Sequence, residues 1–243
     1  MNDLQLTKPA LSVSLAGESV ELHADRALFH PRTTTLYVAD VHLGKTAAFR
    51  AAGVPLPAGT TASNLERLGG LVARTGAERL IILGDFLHAA AGRTPALAAA
   101  YRTWRSEHRA LSMVLVRGNH DDRAGDPPAD WRIDVVDEPS EAPPFMLWHK
   151  PPAGSASQRV GSGTQDLFGY ALCGHVHPGV LLCVGNEPGE RLPCFVLGPT
   201  RAILPAFGRF TGLYTQAAQP EDRVVAIAGR KLFMLPQTLR KRA

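Results

Sequence analysis

Two uninterrupted apolar runs, Leu80–Leu83 and Met113–Val116, set the frame for this chain. Each is too short for a helix and lacks the polar alternation of a strand with one wet face. Each therefore reads as a strand buried on both sides. Helical spacing precedes the first run, where Leu65, Leu68, Leu71 and Val72 recur with Thr61 or Ser63 placed to cap the start and Gly76 to end it. A second helix is expected between the two runs, from about Pro95 to His108, because proline is tolerated in a first turn. Strand, helix, strand, helix, strand at these lengths predicts βαβ units and a mostly parallel sheet.

Upstream, SVSLAG, SVELHAD, RALFHP and TTTLYVAD read as closely spaced strands, punctuated by Gly17, Pro31 and the Arg32-Thr33-Thr34 turn. Beyond Trp131 the helical period disappears. WRIDVVDE, PFMLWHK, YALCGHVH, GVLLCVG, PCFVLGP, FTGLYT and RVVAIAGRKLFML read as consecutive short strands. They predict a second, more antiparallel sheet packed face to face on the first, with helices outside. No repeat or linker splits the chain, so residues 1–243 are expected to form one domain. Its termini should be short and flexible, and a Gly/Pro/Ser-rich loop near 150–165 mobile.

With 45% hydrophobic residues in 243, the chain can build a core without disulfides, and its net charge of +4 excludes a disordered polyelectrolyte. No apolar run approaches the ~18 residues of a membrane span. The opening MNDLQLTKPALSVSL lacks the basic and apolar regions of a secretory signal. Cys173, Cys183 and Cys194 fit no zinc spacing and read as buried thiols in a cytoplasmic protein. The mild basic excess permits a phosphate-rich partner without demanding one.

Chemistry enters where the strands end. LYVA runs into Asp40-Val41-His42, LIIL into Gly84-Asp85, and MVLV into Gly118-Asn119-His120-Asp121. FML runs into Trp148-His149, and YALC into Gly174-His175-Val176-His177. Ligands of α/β sheets sit at the carboxyl ends of strands, so five such loops can meet in one crevice. Spacing of two in D-x-H and H-x-H puts both side chains on one side of an extended segment. Asp40, His42, Asp85, Asn119, His149, His175 and His177 make seven N/O donors, more than one ion takes while keeping open positions. They suit two ions sharing one carboxylate, with Mn²⁺, Fe²⁺ or Zn²⁺ favoured over softer metals. Two dications against two aspartates leave positive charge for a phosphate, and ions ~3.5–4 Å apart can activate a bridging water. His120, beside Asn119 but not needed as a ligand, is placed to protonate a leaving oxygen.

The order D-x-H, G-D, G-N-H-D, H, G-H-x-H over residues 40–177 resembles the calcineurin-like metallophosphoesterase superfamily. That resemblance implies a four-layer α/β/β/α sandwich of two mixed sheets flanked by helices. It also implies Asp40, His42 and His177 on one metal, Asn119, His149 and His175 on the other, and Asp85 as the bridge. DVHLGKTAAFRAAGVPLPAGT and LIILGDFLHA are similar to the bacterial ligase-associated DNA damage response endonucleases within it. This closer likeness implies a Mn²⁺-dependent DNA endonuclease that works in repair alongside an ATP-dependent DNA ligase and a helicase. Two departures stand out. Trp148-His149 replaces the usual Gly-His, which predicts a crowded second position or a differently placed strand. After Gly84-Asp85, Phe86-Leu87-His88-Ala89 lacks the Asp-Arg pair of the protein phosphatases, and losing that clamp favours a diester over a monoester.

Around the donors, Lys45, Arg50 and Arg123 are candidates for backbone phosphates, against the plainer reading of a solvated face. His88 either touches substrate or His120, or fills its loop. Asp121 either orients His120 or caps the loop. Arg230-Lys231 and Arg240-Lys241-Arg242 read as solvated or phosphate-touching. The expected reaction is attack on a DNA phosphodiester by a hydroxide bridging two ions, with little base specificity, since no Walker loop, dinucleotide fingerprint or DNA-reading helix occurs. A small nucleotide or pyrophosphate is the alternative substrate. A non-catalytic scaffold would have no reason to gather seven costly polar residues.

Overall fold

The computed structural model describes residues 9–57, 59–152, 169–182, 189–215 and 217–236. Most of the loop expected near 150–165, together with Cys183 and Arg240-Lys241-Arg242, lies outside the described residues. The first sheet opens as an antiparallel meander of β1 (Ala10–Leu15), β2 (Glu18–His23), β3 (Ala27–His30) and β4 (Thr35–Val38). Helices α1 (Lys45–Ala51) and α2 (Thr60–Thr75) lead to β5 (Arg79–Leu83), α3 (Pro95–Glu107) to β6 (Ser112–Val116), and α4 (Asn119–Ala124) to β7 (Asp134–Val136). From β4 to β7 every neighbour is parallel.

The second sheet comprises β8 (Ser140–Ala142), β9 (Phe145–Leu147), β10 (Tyr170–Cys173), β11 (Gly179–Leu182), β12 (Glu190–Leu197), β13 (Arg201–Ile203), β14 (Arg223–Ala228) and β15 (Lys231–Leu235). Its order is β15-β14-β12-β13-β10-β9-β8, with β11 paired to β12. Most pairs are antiparallel, but β10 runs parallel to both β9 and β13.

Alternation along the buried strands separates two cores. Ile81, Leu83, Val114 and Val116 face the second sheet and pack with Phe145, Leu172, Phe195 and Val225. Leu80, Ile82, Met113 and Leu115 face the other way, onto Leu65, Leu68 and Leu71 of α2 and Leu97, Tyr101 and Trp104 of α3. Each such fully buried side chain contributes about 1.5–3 kcal/mol. Two mixed sheets flanked by helices are thus present as expected. Among the described residues the long helices lie on the first sheet, while Leu192, Cys194, Val196 and Ile203 on the far face of the second pack with Ala217 and Val180.

Some local expectations change. WRIDVVDE supplies β7, which joins the first sheet parallel to β6 instead of starting the second. FTGLYT forms no strand and keeps a single isolated bridge, between Pro178 and Tyr214. Helices α1 and α4, seven and six residues long, are too short to carry a helical period. Helix α2 ends as expected at Gly76, whose φ of 65° is the left-handed conformation that favours glycine. Cys173 and Cys194 are buried.

Candidate metal centre

Parallel pairing brings the ends of β4, β5 and β6 to one edge of the first sheet, and those of β9 and β10 to one edge of the second. The two edges are tied together across the sheets. Phe207 N–H donates to Ala39 O at 2.7 Å and Gly208 N–H to Asp40 O at 2.9 Å. Within the crevice, Asp40 N–H donates to Gly84 O, His42 N–H to Asp85 O, and Gly174 N–H to His149 O. Asp40 receives the His175 N–H at 2.9 Å, and Asp85 receives the His120 N–H at 2.8 Å.

Backbone strain concentrates in these loops. Of ten described non-glycine residues with positive φ, five are Asp40, His42, Asp85, His175 and His177, at 50–66°. Each costs of order 1–3 kcal/mol and persists only where its surroundings over-determine it, a pattern typical of functional sites. Glycines make the close approaches. A Cβ on Gly84 would overlap the His149 imidazole, and one on Gly118 would overlap the Asp85 carboxylate.

The side chains fall into two groups around Asp85. In the first, His42 Nε2 lies 3.4 Å from His177 Nε2, which is 3.5 Å from Asp40 Oδ1. In the second, His149 Nε2 lies 3.1 Å from both Asn119 Oδ1 and His175 Nδ1. Asp85 reaches both, with Oδ2 3.9 Å from His42 Nε2 and Oδ1 3.4 Å from His149 Nε2. Donors each ~2.0–2.2 Å from a shared cation stand roughly 3.0–3.5 Å apart, and every pair above meets this except His42 and Asp85 at 3.9 Å, so the spacing suits divalent ions. The charges fit as well. Burial pushes the Asp85 carboxyl up and the His42 and His175 imidazoles down, and for those two rings this favours the neutral form that a metal ligand needs. Two buried carboxylates, Asp40 and Asp85, supply the negative charge that divalent cations would balance. Trp148, half-buried, does not displace its neighbour: His149 is seated in the second group, with Nδ1–H donating to Leu83 O at 3.0 Å.

No family model matches the chain, and no curated protein does. Among solved structures, the crystal structure of Pseudomonas putida nuclease MPE is similar over 93% of this chain and 100% of that one, at 40% identity and TM-score 0.76. The chain belongs to the calcineurin-like metallophosphoesterases. A second structure, the E. coli phosphoesterase YfcE, covers 85% of this chain and 94% of its own at 15% identity and TM-score 0.33, too slight a likeness to bear on the site. As a metallophosphoesterase the chain is a hydrolase acting on ester bonds.

Beside the donors of this metallophosphoesterase, a stack of rings forms a third cluster. His88 stacks on His120 at 4.8 Å between centroids, and Phe49 on His88 at 5.7 Å. His42 meets both imidazoles edge-on. His120 Nδ1–H donates to the His88 carbonyl at 2.8 Å, which leaves Nε2 facing the centre, 4.0 Å from Asp85 Oδ2. His88 Nδ1 lies 3.3 Å from His42 Nδ1, and burial followed by the His120 charge holds His88 down to about 4. With its other nitrogen among the donors, His42 can donate a hydrogen bond from Nδ1–H to Nδ1 of a neutral His88.

Of the two readings for Asp121, the structure favours the cap. Its carboxylate accepts the N–H groups of Leu87 at 2.8 Å, Gly118 at 3.0 Å and Phe86 at 3.3 Å, lashing two donor loops together. Burial pushes it up to about 6. Lys45 is half-buried, its ammonium 5.9 Å over the Phe49 ring and within electrostatic reach of Asp40 and Asp85. Arg50 and Arg123 are exposed and are not drawn into the cluster. Sequence reasoning missed Glu138, whose carboxylate accepts the N–H groups of His149 at 2.6 Å and Lys150 at 2.8 Å and fixes that loop. A lone glutamate eleven residues upstream gives no signal of this. Phe49, the outer ring of the stack, was missed too.

Proposed function

We propose that this metallophosphoesterase is a phosphodiesterase that cleaves DNA with little base specificity, holding two divalent cations, in the first instance Mn²⁺. Asp40, His42 and His177 would hold one ion and Asn119, His149 and His175 the other, with Asp85 within reach of both. The observation that carries this reading is the split reach of Asp85, one oxygen toward each group. A similar nuclease favours DNA as substrate, and Phe86-Leu87-His88-Ala89 in place of an arginine clamp favours a diester. A role in cytoplasmic DNA repair, beside an ATP-dependent ligase and a helicase, follows from the family resemblance.

When bound, such ions polarise phosphoryl oxygens and lower the pKa of water. The chain's own residues do the rest. Strained loops fix the seven donors before substrate arrives, so little reorganisation is needed on binding. His120, held at Nδ1 by the His88 carbonyl and flat against the His88 ring, presents Nε2 to the departing oxygen and gives it a proton. Lys45 adds a positive charge at the rim.

His120→Ala tests this arrangement. Plasmid nicking should fall by ~10²–10⁴-fold with metal content retained. Hydrolysis of an aryl phosphodiester, whose aryl oxide departs without a proton, should fall far less. Loss of metal would make His120 a ligand instead. Nucleotides hydrolysed at enzyme levels that leave plasmid intact would transfer the site to small substrates.

A further inference from the structure

Among the described residues, three aromatic rings are counted with the exposed large hydrophobics: Phe49, Phe210 and Tyr214. Phe49 belongs to the His88 stack. The other two, each 53% exposed, stand on the segment Gly208–Tyr214, which runs between Asp40 and His177 of the first donor group. Its start is pinned under Asp40 by Gly208 N–H, and its end is pinned to His177, whose carbonyl accepts Tyr214 N–H at 3.0 Å. Gly179 N–H donates to Tyr214 O at 3.0 Å, and Leu213 packs on Gly179, where a Cβ would crowd it.

Phe210 has φ 58°, a left-handed conformation that is strained for a bulky residue, and its exposure means that packing does not recover the cost. Two guanidinium groups brace the segment from behind. Arg26 donates to Ala206 O at 3.0 Å and Gly208 O at 3.2 Å, and Arg67 donates to Phe207 O while lying 4.0 Å over the Phe207 ring. Arg209 is exposed beside them. Burial, then the neighbouring guanidinium groups, hold Arg67 down to about 10. Among the described residues none of the three is in an ion pair. Tyr214 also walls a concavity of about 590 Å³ with Val176, Thr200, Ile203 and Gln219, and Val176 lies between two of the metal donors. That volume is within the usual range for a small-ligand pocket.

Exposed rings next to an exposed guanidinium, here Phe210 and Tyr214 with Arg209, are what a protein presents to the bases and phosphates of a nucleic-acid strand. We propose that Gly208–Tyr214 is a stacking ridge for the DNA strand being cut, with Phe210 and Tyr214 each holding an unpaired base and Arg209 a phosphate next to the base on Phe210. The ridge rests on the nuclease reading above and specifies where that substrate lies beyond the scissile phosphate.

The test compares a fluorescent oligodeoxynucleotide with an aryl phosphodiester too small to reach the ridge, using the full chain with Mn²⁺. Stacking contributes about 1–3 kcal/mol per base, so in Phe210→Ala/Tyr214→Ala the oligonucleotide KM should rise at least ten-fold more than the aryl diester KM. Tyr214→Phe should restore its share, and Arg209→Gln should flatten the dependence of oligonucleotide KM on salt. Equal losses on both substrates, or an unchanged oligonucleotide KM, would overturn the ridge while leaving the nuclease reading intact. Wild-type protein that hydrolyses the aryl diester yet neither binds nor cuts DNA would remove the nuclease reading and the ridge with it.

Discussion

In both sheets, strands with a parallel neighbour and strands paired only antiparallel differ in the loops they lead into. β4, β5, β6, β9 and β10 each have a parallel neighbour, and the loops after them hold Asp40, His42, Asp85, Asn119, His149, His175 and His177. β1, β2, β3, β14 and β15 are joined antiparallel, and none carries a donor; of the strands with a parallel neighbour, β7 and β13 carry none either. Hairpins send successive strand ends to opposite edges, whereas parallel neighbours end together. Even the largely antiparallel second sheet turns parallel at β9 and β10, the strands that deliver its three donor histidines. The centre therefore stores charge and strain, and the margins bury apolar surface. Function and stability should be separable by mutation.

Asp85→Asn should have the largest effect. Turnover of an aryl phosphodiester should fall by more than the ~10–100-fold usual for groups that merely support a ligand, and metal content should fall with it. Melting in a chelator should move the other way. Burial, with the Asp40 charge beside it, pushes the Asp85 carboxyl up, so its charge opposes folding above the ordinary carboxylate range, and the neutral amide should raise the metal-free Tm. A lower metal-free Tm would break the contrast. Gly84→Ala should damage both properties, because the added methyl enters the His149 ring at a residue with φ 80°. We expect about 1–3 kcal/mol of lost stability together with lost turnover, read by urea titration and steady-state kinetics.

On the margin, Leu22→Ala removes a fully buried side chain of β2. It should lower stability by about 2–5 kcal/mol in the same titration and leave turnover per folded molecule unchanged. The smallest effect is expected at Glu18, held down to about 2 by its bonds to Arg32 and then His30. A carboxyl lowered by folding stabilises above its unfolded value of 4.5, and that contribution disappears as pH falls toward about 2. Glu18→Gln should flatten the loss of urea midpoint over that window by a small amount, because the pair is exposed.

Much of the centre was legible because its donors announce themselves by type and position at the ends of buried runs such as LIIL and MVLV. Helix α2 was legible for a similar reason, since its leucines repeat and Gly76 ends it. What remained hidden depends on contacts distant in sequence. The place of β7 in the first sheet is decided by its pairing with β6, which the local pattern of WRIDVVDE does not encode. Asp121 could be either an orienting acid or a cap until the amides of Phe86 and Leu87 were seen to converge on it. Nor does Trp148 in place of glycine say whether His149 fits, because the space is provided by Gly84, in the loop after β5.

Anomalous scattering from crystals grown with Mn²⁺ tests the metal centre most directly. The account predicts two peaks roughly 3.5–4 Å apart, with Asp85 between them. Its Oδ2 should be on the ion shared with His42 and His177, and its Oδ1 on the ion shared with Asn119, His149 and His175. A single peak at full metal loading, or two peaks neither of which touches Asp85, would contradict it.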